Sequence, residues 1–369
     1  MPGPNPFRPG FGVSPRVLAG RDELVEEFDT ALDEGPGSPL RSVLVSGARG
    51  MGKTVILNEL EEVARGRGWL VVRLPETGDL LEELAATLLP RLLAEHDSER
   101  AVHRRVTGGG VAGLGSVTTT AKERYPVRES AGTLLERLLD VLAAHGTGVL
   151  FTLDELQAVD RESVAGFASL YQHLVRDERD VALAAAGLPV GVDQLLQHRG
   201  TTFLRRAERI QLAALTTRQV VEATRLTIEG ADGSVSEPGL TALAEVVHGY
   251  PYLLQLAGYR AWREAAGAMI TPDHARATVP VVSERMGRLI HDPALRDVPE
   301  AQRAYLAAMA QDDGPSSTGE VAARLGLTAQ HANVFRTRLI QRELIVPAGH
   351  GSVDFGLPYL REHLRRQPD

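Results

Sequence analysis

The stretch that leaves this chain least freedom is Arg41 to Ile56, RSVLVSGARGMGKTVI. A short apolar run, Val43 to Val45, leads into Gly47; Gly52, Lys53 and Thr54 follow after four residues, and then an apolar pattern of helical period. Strand, G-x-x-x-x-G-K-[ST] loop and helix, in that order, form the context in which this motif cradles phosphate. The glycines let the backbone curl until successive N–H groups point inward, and the helix adds the positive end of its dipole. Gly47, Ala48, Arg49, Gly50, Met51, Gly52, Lys53, Thr54 and Val55 are therefore read as a polyphosphate nest. Lys53 would reach the β- and γ-phosphates, and the Thr54 hydroxyl would ligate Mg²⁺. The competing reading, a glycine turn that binds nothing, gives the flanking strand and helix no role. Composition sharpens the point: of 40 basic residues only Lys53 and Lys122 are lysines. A lysine kept here in so arginine-rich a chain argues that a compact ammonium is needed where a planar guanidinium would not fit.

A second motif completes the chemistry. Gly148 to Asp154, GVLFTLD, is an apolar strand that runs into the acids Asp154 and Glu155. Nucleotide hydrolysis needs a carboxylate to hold the metal and a group to orient the attacking water. In open parallel sheets both belong at the carboxyl ends of strands. Asp154 is assigned to Mg²⁺ and Glu155 to the water. The simpler alternative is a pair of acids capping a strand-to-helix loop.

Around these motifs strands alternate with helices, with further strands at Trp69–Leu74, Val181–Ala186 and Glu208–Leu212. This pattern predicts an α/β fold, a P-loop NTPase with a parallel sheet covered on both faces. Pro90 is expected to kink the helix marked by Leu80, Leu84, Leu88 and Leu92. After Leu215 only helical periods remain. The expected organisation is a flexible arm at 1–15, rich in Pro and Gly, a P-loop ATPase domain at 16–214, an α-helical lid at 215–298 and a third unit at 299–369. Residues 97–128 resist placement. Gly108, Gly110 and Gly113 there match G-x-G-x-x-G, but without the strand and helix that a dinucleotide fingerprint requires they read as a flexible turn.

The third unit reads as a winged helix. Ser317 and Glu320 have capping-box spacing, Val321 to Leu325 makes a short helix, and Thr328 caps a longer one through Arg342. Leu344–Val346, Pro347–Gly351 and Ser352–Phe355 follow as strand, wing and strand. Ala332, Phe335 and Leu339 share the core side of the long helix. Gln330, Asn333, Arg336, Thr337, Arg338 and Gln341 are the candidate contacts to base edges and phosphates of duplex DNA. Against this, residues 300–369 hold eight arginines and eight acids, so the unit has no net positive charge.

The whole chain is acidic, with net charge −8 and pI near 5.8, which argues against indiscriminate coating of nucleic acid. Lack of cysteine excludes disulfides and zinc–thiolate sites. The opening MPGPNPFRPG has no apolar signal core, and the apolar run Val181 to Val192 is too short to span a bilayer. A cytoplasmic protein without membrane contact is expected.

GRDEL from Gly20, GARGMGKT, LFTLDELQ, LAAAGLP, TFLRRAERIQL and GYPYLLQLAGYRAW from Gly249 together resemble the AAA+/STAND superfamily. The nearest likeness is to bacterial and archaeal ATPases related to the origin-recognition initiator type, and it runs from Gly20 to Arg366. The resemblance implies ATP and ADP as ligands with Mg²⁺. It places Gly20 and Arg21 near the adenine, Arg205 and Arg206 as γ-phosphate-sensing arginines, and Gly249, Tyr250 and Pro251 at the start of a lid helix on the nucleotide. One departure is visible. The strand ending at Gly187 carries no polar sensor at its tip, leaving Gln157 or an arginine to serve. Two functions follow: an ATP-hydrolysing switch whose winged helix contacts DNA, or a STAND-like signalling ATPase that acts through nucleotide-dependent self-association or protein partners. A small-molecule kinase fits less well, since neither the lid nor the third unit supplies an acceptor pocket.

Overall fold

The computed structural model describes residues 3–10, 12–96 and 129–366. The sequence readings at 97–128, including the glycines at 108, 110 and 113, lie outside them. The core is a five-stranded, all-parallel sheet of β1 (Ser42–Ser46), β2 (Leu70–Arg73), β3 (Val149–Leu153), β4 (Val181–Gly187) and β5 (Glu208–Gln211), in the spatial order β2-β3-β4-β1-β5. All five expected strands are present. Those with continuous apolar runs, β3 and β4, lie inside the sheet and are buried along their whole length, as strands covered on both faces must be.

The two-residue period of these strands divides the core. Val43, Val45, Leu150, Ala182, Ala184 and Ala186 pack on one face; Leu44, Val149, Phe151, Leu153, Leu183 and Ala185 pack on the other. Helices α1 (Asp22–Glu34) and α2 (Lys53–Gly66) cover the first face. The second is covered by α3 (Leu80–Glu83), α4 (Leu89–His96), α5 (Ala131–Ala143) and α6 (Arg161–Arg176). Between α3 and α4 the helix widens into one π turn, Leu84–Leu88. Pro90 has no N–H to give and its ring crowds the carbonyl four residues back, so the chain absorbs it by widening before the proline rather than by a break at it.

Next come α7 (Pro189–Gln197), then α8 (Thr217–Glu229), α9 (Glu237–Val247), α10 (Pro251–Ala265), α11 (Pro272–Ala277), α12 (Val279–Met286) and α13 (Asp292–Leu295). A second π turn, Gly287–His291, joins the last two ahead of Pro293. The C-terminal part runs α14 (Glu300–Met309), β6 (Ser316–Ser317), α15 (Thr318–Arg324), α16 (Ala329–Gln341), β7 (Ile345–Pro347), β8 (Ser352–Phe355) and α17 (Leu360–Arg366). Its antiparallel sheet has the order β6-β8-β7. Thr328 caps α16, its side chain accepting from His331 N–H. The capping box at Ser317 and Glu320 does not form. Instead Thr318 N–H and Oγ1 both donate to Gly351 O at 2.9 Å, so the turn after β7 starts that helix.

One buried cluster continues from the α2 face of the sheet through α8–α12 into the C-terminal part, from Phe7 to Leu360. The parts that follow the sheet therefore share a core with it. Among the described residues no helix is long and apolar enough to cross a membrane.

Candidate nucleotide site

The loop after β1 is shaped by its glycines. Gly50 and Gly52 have φ of 82° and 91°, the left-handed range that other residues enter at a cost. At Gly50 a methyl group would lie 2.6 Å from Tyr250 Cε1, so the ring at the head of α10 sits directly on the loop. The Tyr250 hydroxyl donates to Arg49 O, and Tyr252 N–H to Gly50 O at 3.3 Å. The loop is thus backed by the helix that sequence reading placed near the nucleotide.

Lys53 opens α2 and is buried. Its Nζ donates to Gly47 O at 2.8 Å and Ala48 O at 3.1 Å, which brings the ammonium to the inside of the loop. Burial holds its pKa below the ordinary lysine value, against the opposing charges of Glu155, Asp154 and Glu343. The Thr54 hydroxyl donates to Asp154 Oδ2 at 2.6 Å, and Glu155 N–H donates to Asp154 Oδ1 at 2.8 Å. Two motifs a hundred residues apart meet here because β1 and β3 flank β4 in the sheet. The meeting is braced from below: Glu61 of α2 accepts from Thr152 Oγ1 at 2.8 Å and from Arg73 of β2. Burial opposes the Glu61 charge most strongly, yet hydrogen bonds from Arg73, Thr152 and Arg65 hold its carboxyl below the usual range.

Glu155 stands in the left-handed region at φ 48°, a backbone cost that residues at working sites often carry. Its carboxylate accepts from the Gln157 amide, and Gln157 Oε1 accepts from Leu188 N–H at 2.9 Å, just beyond Gly187. Gln157 therefore spans the tips of β3 and β4, where the missing sensor would stand.

A cleft of about 500 Å³ opens beside the loop. Gly50, Met51, Gly52, Lys53, Thr54 and Val55 line it, with Arg21, Glu155 and Pro251. Gly47 does not line it; a methyl there would lie 3.1 Å from Leu212 Cβ, so this glycine serves strand packing. Ala48 faces a second cavity, which Arg49 shares with the cleft. Gly20, at φ 60°, packs on Gln219, and Arg21 donates to Ala213 O at 2.6 Å.

Pro9 and Val13 of the N-terminal arm, with Val17 and Leu18 just after it, form the other wall of the cleft. The sequence expectation of a free, flexible arm is corrected here for the described residues. The segment is irregular but seated: Phe7 is 2% exposed against Gly258 of α10, Asn5 Nδ2 donates to Tyr259 O, and Arg8 N–H donates to Gln255 Oε1. Arg285 of α12 also reaches the cleft. Nothing local in its sequence marks it; only packing brings α12 there.

Arg205 and Arg206 are not brought to the cleft. Arg205 Nε donates to Leu196 O at 2.7 Å. Arg206 lines a cavity of about 610 Å³ with Arg41, Ser42, Val181 and Ala207, at the amino ends of β1, β4 and β5. The loop sits at the carboxyl ends, a full strand length away, about 17 Å at 3.3 Å per residue. Of the six candidate DNA contacts, Gln330, Asn333, Thr337, Arg338 and Gln341 are exposed. The Arg336 side chain is half-buried, with its charge acting on Tyr305. Arg338 and Gln341 line a cavity of about 520 Å³ together with Ala48, Arg49 and Leu188.

A nucleotide and its metal suit this arrangement: inward-facing backbone, an ammonium, and two hard oxygen donors from Thr54 and Asp154. Among the described residues no cluster of three His, Cys, Asp or Glu side chains is placed to hold a metal, so phosphate and water oxygens would complete the Mg²⁺ shell.

Comparison with known proteins accords with this geometry. Residues 17–183 match the AAA ATPase domain family, and residues 288–364 match a domain of unknown function (DUF8462). No curated protein matches the sequence. The fold is similar to the Walker-type ATPase PABY2304 of Pyrococcus abyssi, at 16% identity over 94% of this chain and 96% of that one, with a TM-score of 0.62. It is also similar to the ADP form of the Aeropyrum pernix ORC2 protein, at 16% identity over 97% and 96% of the two chains, with a TM-score of 0.53. Residues 17–183 are thus an AAA ATPase domain, with the sheet order and strand-tip chemistry described above.

Proposed function

We propose that the protein is a Mg·ATP-driven switch in which the nucleotide held at residues 47–55 decides how the C-terminal part sits. The observation that carries this is the shared cavity. Arg338, Gln341 and Glu343, at the end of α16, line it together with Ala48 and Arg49 of the loop. A change of charge on the loop thus acts directly on α16. In this reading residues 16–214 bind and hydrolyse, 215–298 form the lid, and 299–369 form a winged helix that carries the output.

Each role follows from position. Backbone N–H groups of the loop hold the phosphates, and Lys53 turns from Gly47 O and Ala48 O to their oxygens. Thr54 and Asp154 would hold Mg²⁺, which screens the phosphate charge when bound. Glu155 orients the attacking water, and Gln157 fixes that carboxylate against the tip of β4. Arg285 takes the place assigned from sequence to Arg205 and Arg206 as the arginine that meets the phosphates within the chain. Arg206 stands at the opposite pole and has no part in holding this chain's nucleotide; the self-association reading gives it the nucleotide of a second copy.

Duplex DNA is the proposed target of the winged helix, supported by exposed Gln330, Asn333 and Thr337 on α16. A second reading, output through self-association or a protein partner without DNA, is favoured by Arg338 and Gln341 facing the loop. Two measurements test the pair. Glu155→Gln should keep ATP binding and abolish turnover; unchanged turnover ends the role given to Glu155. A gel shift at low salt with ATP should show duplex binding, and absence of binding leaves the self-association reading.

A further inference from the structure

Glu343 follows α16 with φ 58°, in the left-handed region where glycine or asparagine is the ordinary occupant. The fold holds it there. Its N–H donates to Ile340 O at 2.9 Å, and its carbonyl lies so close to Gly356 that a methyl on that residue would come within 2.6 Å. The residue is half-buried and lines the 520 Å³ cavity opposite Ala48, Arg49 and Leu188. Its carboxylate makes no hydrogen bond or ion pair with another described residue. Burial raises its pKa against the pull of the Lys53 ammonium, and Arg49, Arg338 and Arg342 line the same cavity. Lys53 in turn feels Glu343 after Glu155 and Asp154.

Asp154 and Glu155 have places in the hydrolysis chemistry; Glu343 has none. A carboxylate without a partner, fixed by a costly backbone conformation and set against a loop that receives polyphosphate, is a like charge opposed to the ligand. The side from which it acts matters. Lys53 Nζ points at Gly47 O and Ala48 O, and Ala48 belongs to the cavity of Glu343 rather than to the 500 Å³ cleft. The ammonium thus stands between the two spaces, and a terminal phosphate drawn to it enters the field of Glu343.

We propose that Glu343 sets the nucleotide preference of the loop, disfavouring a triphosphate relative to a diphosphate by charge repulsion from the C-terminal part. This rests on the switch reading above and names the residue that senses the terminal phosphate. Binding of the triphosphate then costs the docked position of α16. By linkage, a target that draws α16 away raises triphosphate affinity by the same factor by which the triphosphate raises affinity for that target.

The test measures affinities of the full chain for ADP and for a non-hydrolysable ATP analogue, both with Mg²⁺, in the wild type, Glu343→Gln and Glu343→Gly. Glutamine keeps the size and removes the charge; glycine suits the left-handed backbone, so at least one of the two should fold. The expected result is an analogue affinity raised about 5- to 20-fold in both variants, with ADP affinity within about twofold of wild type. Affinities that do not move, or that move equally for both nucleotides, overturn the role of Glu343 and leave the switch reading standing. A wild-type protein that binds neither nucleotide ends the switch reading, and this inference with it.

Discussion

Two stretches of this chain present themselves as binding surfaces, the loop at residues 47–55 and the exposed side of α16, and they behave differently in the folded molecule. The loop assembles as its sequence implies: Lys53 is turned to the inside and Thr54 meets Asp154 at 2.6 Å. The side of α16 is only partly free: Gln330, Asn333, Thr337, Arg338 and Gln341 are exposed, the last two at a cavity shared with the loop, while Arg336 is half-buried with its charge acting on Tyr305. The loop binds with its backbone, whose direction is set by local φ and ψ, so a motif specifies it. A helix side binds with side chains, and which of them stay free depends on what packs beside them.

The largest effect should come at the loop. Lys53→Ala is expected to lower ATP turnover about a hundred- to a thousand-fold, read in a steady-state phosphate-release assay. Retention of half the wild-type rate would mean that the loop is only a turn, and the contrast with α16 would vanish. Next comes the arm. Phe7→Ala should cost about 3 kcal/mol in a urea titration, since the ring is 2% exposed; no change would restore the free arm expected from composition.

The seam with the C-terminal part offers a pH test of similar or slightly smaller size. His291 is fully buried, Nε2–H donating to Pro358 O at 2.9 Å, and its pKa falls from 6.5 to about 4, burial being the largest cause. The folded state thus binds fewer protons than the unfolded one below pH 6.5. Stability is full above that value and falls progressively as pH drops toward 4, by about 2–3 kcal/mol in total. Thermal melts at pH 7, 5.5 and 4.5 in His291→Gln should show a shallower decline than wild type; parallel declines would place the acid sensitivity elsewhere. The smallest effect concerns α16 itself. If duplex DNA is bound, Asn333→Ala should weaken it about 5- to 10-fold and Arg336→Ala hardly at all in gel shifts. Equal losses would mean that Arg336 leaves its place beside Tyr305 and that the helix side acts as one surface.

Much of the fold was legible because the strands announce themselves. Runs such as VLFTL and VALAAAG are buried on both faces, and their spacing admits helical crossovers only. Asp154 and Glu155 were legible for the same reason, since a strand's carboxyl end is readable from where the apolar run stops. Arg205 and Arg206 were read toward the phosphates from a family pattern alone, and a pattern does not record that Arg206 lies at the amino ends of the strands or that Arg205 is held by Leu196 O. Pro and Gly report irregular backbone, which is a different property from mobility, so composition carries no mark of the arm's seating. Phe7 is buried through a partner, Gly258, some 250 residues away. Arg285 and Glu343 carry no local signal at all.

By itself, the sequence determined the loop, the carboxylate Asp154 that meets it and the parallel sheet that brings them together, because each depends on backbone conformation and a short-range apolar period. Only the tertiary structure decided what surrounds that centre: the arm as one wall, Arg285 from the helices, and a carboxylate from the far end of the chain opposite Lys53. Those placements come from burying apolar faces against partners far away in sequence, and no local pattern records which distant side chain such packing carries along.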